Sequence, residues 1–400
     1  MINTNSNRCS KIKVMHVVSR LDTGGLENGV INICNALDRK KFIPAICCLK
    51  AFGSMAKRLK PDVRLFNLNF PEGKNLSGIL KIISFFRKEK PDIVHDHGIG
   101  QGSFLCIIGA MAAGIRVIIN GEHGKIRLRS HQIYLQRIIS LIPDVILSVS
   151  SALKMNISLQ VGIPCRKITV IPNGVDTSIF NGKHNISEFK KELLKLYNFK
   201  INDADFVLGV IGSLKPEKNQ KMVLDALEMF NQIQKNNNLR ILFAGDGPDK
   251  LMLMKYAADF GLDKQVVFLS ERSDIYEMLS LINVLSLVSL RGHEGMSNVI
   301  LEAMSSGVPI ISTKSTGSIE LINEGENGFL VDPGDVFALC KKIELLYTNR
   351  LLAKNMGKKA REIILDRFSL QKMLSSYEAL YIGQFLRKYK NDSSGRLDAA

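Results

Sequence analysis

The sequence predicts an α/β protein built from two doubly wound domains, each with a parallel sheet, facing each other across a linker. Three observations carry this. Short apolar runs alternate with helical periodicities along nearly all 400 residues, the pattern of strand–helix crossovers. The alternation occurs twice, separated by a polar, lysine-rich stretch at 180–205. The chain also exceeds the ~250–300 residues at which a single core stops growing.

The first series opens with the apolar run Lys11–Ser19, the glycine turn Asp22-Thr23-Gly24-Gly25-Leu26 and the periodic segment Glu27–Leu37, which read as strand, turn and helix. Strands are then expected at Phe42–Leu49, Asp92–His95, Val117–Asn120 and Val145–Val149. Helices are expected at Leu76–Lys88, Ser103–Ala113 and the basic segment Lys125–Leu141. The second series gives strands at Phe206–Ile211, Arg240–Ala244, Val266–Leu269, Val284–Leu290, Pro309–Ser312 and Gly328–Val331. Its helices are expected at Gln220–Gln234, Asp249–Phe260, Ile275–Leu281 and Asn298–Ser306, the last stopped by Gly307 and Pro309. The expected division is a first domain at 1–180, a linker at 181–205 with one helix inside it, a second domain at 206–365, a C-terminal helix at 366–390 and a disordered tail at 391–400.

Composition narrows the function. Hydrophobic residues at 46% and charged residues at 23% are ordinary globular values. The longest apolar run, Ile275–Leu290, is broken by Glu277 and falls short of a ~20-residue span. The first residues, MINTNSNRCSKIK, have no apolar h-region, so a cytoplasmic location is expected. Seven scattered cysteines, Cys47 and Cys48 adjacent, give neither a disulfide framework nor metal-binding pairs. The net charge of +16 is uneven: residues 1–180 hold 25 Lys and Arg against 11 Asp and Glu, and the remaining 220 hold 29 against 27. An anionic membrane surface is the expected partner of the basic half, with attachment to the inner membrane face. Nucleic acid is not expected, because zinc-finger spacing, RNP aromatics and tryptophan are all missing.

Ligands of parallel sheets bind at the carboxyl ends of strands, so segments that follow strands hold the candidates. Gly24-Gly25 lets a phosphate approach backbone N–H groups, but G-x-G-x-x-G and its later acidic residue are absent, which speaks against a dinucleotide. His123, in Asn120-Gly121-Glu122-His123-Gly124, stands at a strand end between small residues. His95 and His97 share a strand face, but no third ligand follows at metal-binding spacing, so no metal is expected. Lys215 and Lys218 precede a helix and suit a diphosphate. The most specific stretch runs from Arg291 to Met304. Glu294 precedes a helix, Gly295, Met296, Ser297, Asn298 and Val299 form its N-terminus, and Glu302 lies one turn inside an apolar, buried helix where a carboxylate needs partners.

Glu294 and Glu302 form an E-x7-E motif that resembles the retaining nucleotide-sugar glycosyltransferases of family 4, which have two Rossmann-like domains in the GT-B fold. Supporting segments lie in family order: Gly24-Gly25, Glu122-His123-Gly124, Ile171-Pro172-Asn173-Gly174-Val175-Asp176, Gly212 to Lys218, Ala244-Gly245-Asp246-Gly247-Pro248 and Glu326 to Val331. The opening Leu21–Gly29 also looks like exopolysaccharide sugar transferases. The resemblance implies that the second domain binds a nucleoside-diphosphate sugar, UDP- or GDP-linked. Glu302 would hold the ribose, Lys218 the diphosphate and backbone near Arg272 the base. Glu294 and His123 would meet the transferred sugar. It implies an acceptor, a glycan or lipid-linked, on the first domain, no cofactor, a metal-independent reaction without a D-x-D motif, and a last helix crossing back to the first domain. Two departures stand out. Ser213 occupies a position where many members have Arg, a charge Lys215 is expected to supply, and Gly317-Ser318 replaces a usual Gly-Gly. A GT-B nucleotide-sugar epimerase, a phosphorylase or a non-catalytic nucleotide-sugar binding protein are the alternatives.

Overall fold

The computed structural model describes residues 11–22, 24–70, 77–98, 101–122, 130–235, 237–272, 274–290 and 295–394. The chain forms two compact units: Met1–Ile171 together with Met373–Ala400, and Pro172–Lys372. The first unit's strands are β1 (Ile12–Arg20), β2 (Phe42–Ala51), β3 (Arg64–Asn67), β4 (Ile93–Asp96), β5 (Val117–Glu122), β6 (Val145–Ser148) and β7 (Ile168–Val170), in the order β3-β2-β1-β4-β5-β6-β7, all parallel. Val14, Met15, Val17, Ile93, Val94 and Ile119 are buried because helices cover both faces, which is why these strands read as continuous apolar runs. Neither β3 nor β7 was visible in the sequence. Each is a short edge strand, with Arg64 and Thr169 exposed to water, so no apolar run marks it.

The helix Ser151–Val161 was also not foreseen, although its ends are well marked. Ser150 caps it by accepting from the Leu153 N–H at 3.0 Å, and Gly162 ends it at φ 79°. The expected helix at 125–141 is observed as Ser130–Ile139; residues 123–129 lie outside the described residues.

The second unit has β8 (Phe206–Ile211), β9 (Leu239–Ala244), β10 (Val266–Leu269), β11 (Val284–Leu287), β12 (Ile310–Thr313) and β13 (Gly328–Val331), parallel and in the order β10-β9-β8-β11-β12-β13. Helix Lys221–Ile233 buries Met222, Val223, Leu227 and Phe230 on this sheet and packs beside helix Val336–Thr348.

Three expected boundaries move. The units divide at Ile171/Pro172 rather than at 180. The stretch expected as a linker with one helix inside it does carry a helix, Ser187–Tyr197, but Phe189 and Leu193 of that helix are buried and the stretch belongs to the second unit. Its lysines are merely the solvent face of an amphipathic helix. The C-terminal helix runs from Leu370 to Ser394, through the first residues of the expected tail, while 395–400 lie outside the described residues.

From Met373 onward that helix belongs to the first unit. Tyr377 and Tyr381 are buried, Glu378 accepts from the Asp38 N–H at 3.1 Å, and Lys388 pairs with Asp144 at 2.7 Å. No helix among the described residues is long and apolar enough to cross a membrane.

Candidate functional site

In the second sheet the chain builds outward from β8 through β9 to β10, then returns to start β11 on the other side of β8. Consecutive crossovers leave β8 and β11 for opposite faces, so a crevice opens at their carboxyl ends. Two of the predicted segments emerge there. The loop Gly212–Lys215 leads from β8 into a short turn of 3-10 helix, Pro216–Lys218, and the chain after β11 leads to helix Asn298–Ser305. They are tied together by the Leu290 N–H, which donates to the Glu217 carbonyl at 2.8 Å.

The first loop is held by its neighbour after β9. Gly212 N–H donates to Ala244 O at 2.9 Å, Leu214 N–H to Asp246 O at 2.9 Å, and Asp249 N–H to Leu214 O at 3.1 Å. This close approach explains Gly245 and Gly247: both have positive φ, and a Cβ on either would collide with the carbonyl of Gly212 or Leu214. Lys218 is half-buried and lines a small pocket with Gly212, Gln220 and Ser286, whereas Lys215 is exposed. Gln220 donates through Nε2 to Ser213 O at 2.8 Å; its Oε1 and the Ser286 Oγ are buried without hydrogen-bond partners. These two polar side chains escaped the sequence reading, because nothing in the apolar run around Ser286 or the charged loop before Gln220 marks either as facing a pocket.

Ser297 occupies the N-cap of helix Asn298–Ser305 with extended backbone, and its side chain makes no capping bond. The first N–H groups of a helix have no carbonyl within it to bond, and the helix dipole adds positive potential there. Gly295 and Ser297–Val299 are half-buried and Met296 is buried. Glu302 is half-buried between Leu301 and Ala303, both fully packed. Asn173 fixes this end: its Nδ2 donates to Asn298 Oδ1 at 3.0 Å and Met296 O at 3.4 Å. The motif Ile171–Asp176 was visible in the sequence, but this role of its asparagine was not. Gly317 packs on the Gly295 carbonyl, where a side chain would collide.

Arg272 lies beyond β10, at the outer edge of the sheet. Its guanidinium is bidentate to Glu192, at 2.7 and 3.0 Å, and also bonds Asp274 while lying over the Phe189 ring. Hydrogen bonds to Asp274 and Glu192 push the guanidinium up, and the same bond holds the Asp274 carboxyl below its ordinary value. The Arg272 side chain is therefore occupied in fixing helix Ser187–Tyr197, leaving backbone for any ligand.

Gly25 opens helix Gly25–Ala36 in the first unit, at that sheet's own switch point between β1 and β4. His123 and Glu294 lie outside the described residues. At the end of β4, buried Asp96 accepts from Asn120 Nδ2 at 3.0 Å and from Ser103 Oγ, and so anchors the strand that leads to the His123 segment. The third imidazole that was missing beside His95 and His97 comes from β1: His16, which stands opposite His95 in the sheet register. Linear spacing could not find it, because the sheet and not the local sequence brings β1 and β4 together.

Two Rossmann-like parallel-sheet units define a GT-B glycosyltransferase architecture. Two family models match the chain: Glycosyltransferase Family 4 over residues 23–179 and Glycosyl transferases group 1 over 196–363. The protein belongs to glycosyltransferase family 4 and is a glycosyltransferase enzyme. It is 27% identical to the Escherichia coli UDP-Gal:alpha-D-GlcNAc-diphosphoundecaprenol alpha-1,3-galactosyltransferase, over 95% of this chain and 99% of that protein. It is 28% identical to the Staphylococcus aureus capsular polysaccharide biosynthesis glycosyltransferase CapM, over 81% and 83%. In fold it is similar to Anabaena HepE in complex with UDP, with a TM-score of 0.78 and 19% identity, covering 93% of this chain and all of that one.

Proposed function

We propose that the enzyme moves a hexose, with retention of anomeric configuration, from a nucleoside-diphosphate sugar to a glycan or lipid-linked acceptor in cell-surface polysaccharide biosynthesis. The observation that carries this reading is the switch point of the second sheet, where the Gly212–Lys218 loop and the N-terminus of helix Asn298–Ser305 are tied at one crevice. The names of the relatives favour UDP over GDP as the nucleotide and cell-surface polysaccharide as the product.

In this reading Lys218, aided by Lys215, and the backbone N–H groups of Gly295–Val299 meet the diphosphate. Their preorganised positive potential stabilises the charge that grows on the leaving group, and no metal or other cofactor is called upon. Glu302 accepts the ribose hydroxyls, backbone near Arg272 meets the base, and Glu294 and His123 face the transferred sugar. Glycosyl transfer then runs through an oxocarbenium-like state, with the leaving phosphate helping to take the acceptor's proton.

The first unit takes the acceptor. Helix Ser130–Ile139 supports peripheral attachment to an anionic membrane from the cytoplasmic side: Tyr134, Leu135, Ile138 and the following Leu141 are exposed, interleaved with exposed Arg137. Its inward face is spent on Gln136, Ile139 and Ser140, so these apolar groups have no core to enter.

A thermal-shift screen of UDP, GDP and their hexose conjugates tests the donor, since specific binding raises the melting temperature with ligand concentration. Nucleotide release measured with and without an undecaprenyl-diphosphate-linked sugar then separates transfer from epimerisation or binding alone. A donor that binds but releases no more nucleotide when the acceptor is added overturns transfer to that acceptor class.

A further inference from the structure

The first unit contains three buried histidines to which the proposed transfer assigns no role. β1 and β4 pair in parallel with His16 directly opposite His95, so both side chains stand on one face of the sheet. The two-residue period of a strand brings His97 to the same face. Ring centroids lie 5.1 Å apart for His16–His97, 5.2 Å for His16–His95 and 3.9 Å for His95–His97. One nitrogen from each ring lies within 4.8 Å of the other two, and all three residues are buried. His16 Nδ1 shares a 2.8 Å hydrogen bond with His97 Nε2, and His16 Nε2 is buried without a hydrogen-bond partner. On the outer side of the cluster, Tyr381 Oη of the C-terminal helix bonds His95 Nδ1 at 2.8 Å.

We propose that His16, His95 and His97 bind one divalent transition-metal ion, of which Zn²⁺ is the representative, and that the bound ion fastens the C-terminal helix to the first sheet. Neutral imidazole is the commonest ligand of such ions. Bonds of ~2.0–2.1 Å at tetrahedral angles put imidazole centroids ~5 Å apart, the spacing two of the three pairs already have. Coordination asks the His95–His97 pair to open by about 1 Å and draws the ligating nitrogens to ~3.4 Å. No ring loses its proton. The ring that donates in the His16–His97 bond carries its proton on its other nitrogen, and the two lone pairs meet the ion. Tyr381 orients His95 from behind, as hydrogen-bond partners of metal-bound histidines do. His97 follows the last residue of β4, so the carboxyl edge of the sheet is the way in, and three protein ligands leave a position for water.

The test uses the full-length protein, stripped with chelator and dialysed. Titration with ZnCl₂ is expected to reach one ion per chain and to raise the melting temperature while leaving UDP affinity unchanged. His97→Gln, at the least buried ligand, is expected to lose the high-affinity binding. Tyr381→Phe is expected to keep one ion per chain with affinity lowered about 10–100-fold. Zinc uptake that survives in His97→Gln, or a wild type that takes up none, overturns the site. Should His97→Gln fail to fold, the Co²⁺ form of the wild type decides: three paramagnetically shifted imidazole N–H signals in its proton NMR spectrum support the site, and fewer overturn it.

Discussion

Lys215 and Lys218 share a loop but not an environment: Lys215 is exposed, whereas Lys218 is half-buried beside Gly212, Gln220 and Ser286. A charge-assisted contact made away from bulk water is worth roughly 1.5–3 kcal/mol. Lys218→Ala is therefore expected to weaken UDP binding at least tenfold by calorimetry and to leave uridine binding nearly unchanged; Lys215→Ala should cost less. Equal UDP affinities for wild type and Lys218→Ala remove that lysine from the site. The two glutamates should separate by role. Glu302→Gln is expected to lower affinity for bare UDP, and Glu294→Gln to spare it while lowering turnover. A matched loss of UDP affinity in both variants rejects that division of roles. Residue types and spacing made Lys218 and Glu302 candidates in the sequence. Gln220, Ser286 and Asn173 were not, because the first two owe their interest to a pocket and the third to a partner far along the chain.

Two elements turn on their anchors. Helix Asn298–Ser305 has no side-chain cap of its own, and Asn173 holds its first turn from another segment. Asn173→Ala should lower stability by about 1 kcal/mol in urea unfolding and should also weaken UDP binding, since the N–H groups proposed to meet the diphosphate lose their support. An unchanged UDP affinity would show that the helix end needs no such support. Helix Ser187–Tyr197 is pinned by Arg272 through Glu192 and Asp274. Because Arg272 holds the Asp274 carboxyl below its ordinary value, that carboxylate's contribution is present above the unfolded carboxylate range. It is lost as pH falls through the lower folded value. Arg272→Ala should consequently lose less stability than wild type between neutral and acid pH, and parallel pH profiles for the two proteins count against the clamp. For the helix proposed to meet an anionic membrane, Tyr134→Ser with Ile138→Ser is expected to reduce co-sedimentation with anionic liposomes at low salt. Binding indifferent to lipid charge rejects the proposed surface. Caps and periodicity made most helices readable; the stretch around the helix at 187–197 was taken for a linker because only Phe189 and Leu193 of that helix are buried.

Across the whole molecule, two parallel sheets were evident in the alternation of apolar runs, and the short edges β3 and β7 were not, because Arg64, Asn67 and Thr169 interrupt their few apolar residues. The unit boundary was misplaced for a related reason. Connections are polar whether they hang free or lie packed on a unit, and the pairing of Val175 with Ser369 that draws both connecting stretches into the second unit joins residues remote in sequence. At this scale the chemistry is expected to be metal-independent: turnover should persist in excess EDTA, and if Mg²⁺ or Mn²⁺ is needed to restore it, the diphosphate is not neutralised by lysines and helix N–H groups alone.

The second unit is one continuous stretch of chain, but the first is not, since it needs both its opening residues and the segment from Met373. A ribosome that has just delivered residue 372 has therefore supplied all of the second unit and left the first with Tyr377 and Tyr381 missing from its core. Domains fold as units during synthesis, so the usual order is reversed: the part made first is the last to be finished. A nascent chain stalled at that point holds a second unit complete in sequence and a first unit with the faces of Phe42 and His95 uncovered, an apolar and aromatic surface for a chaperone to shield. Supplying residues 373–394 as a separate peptide to a chain ending at Lys372 should restore the first unit's resistance to protease, and it should do so without altering that of the second.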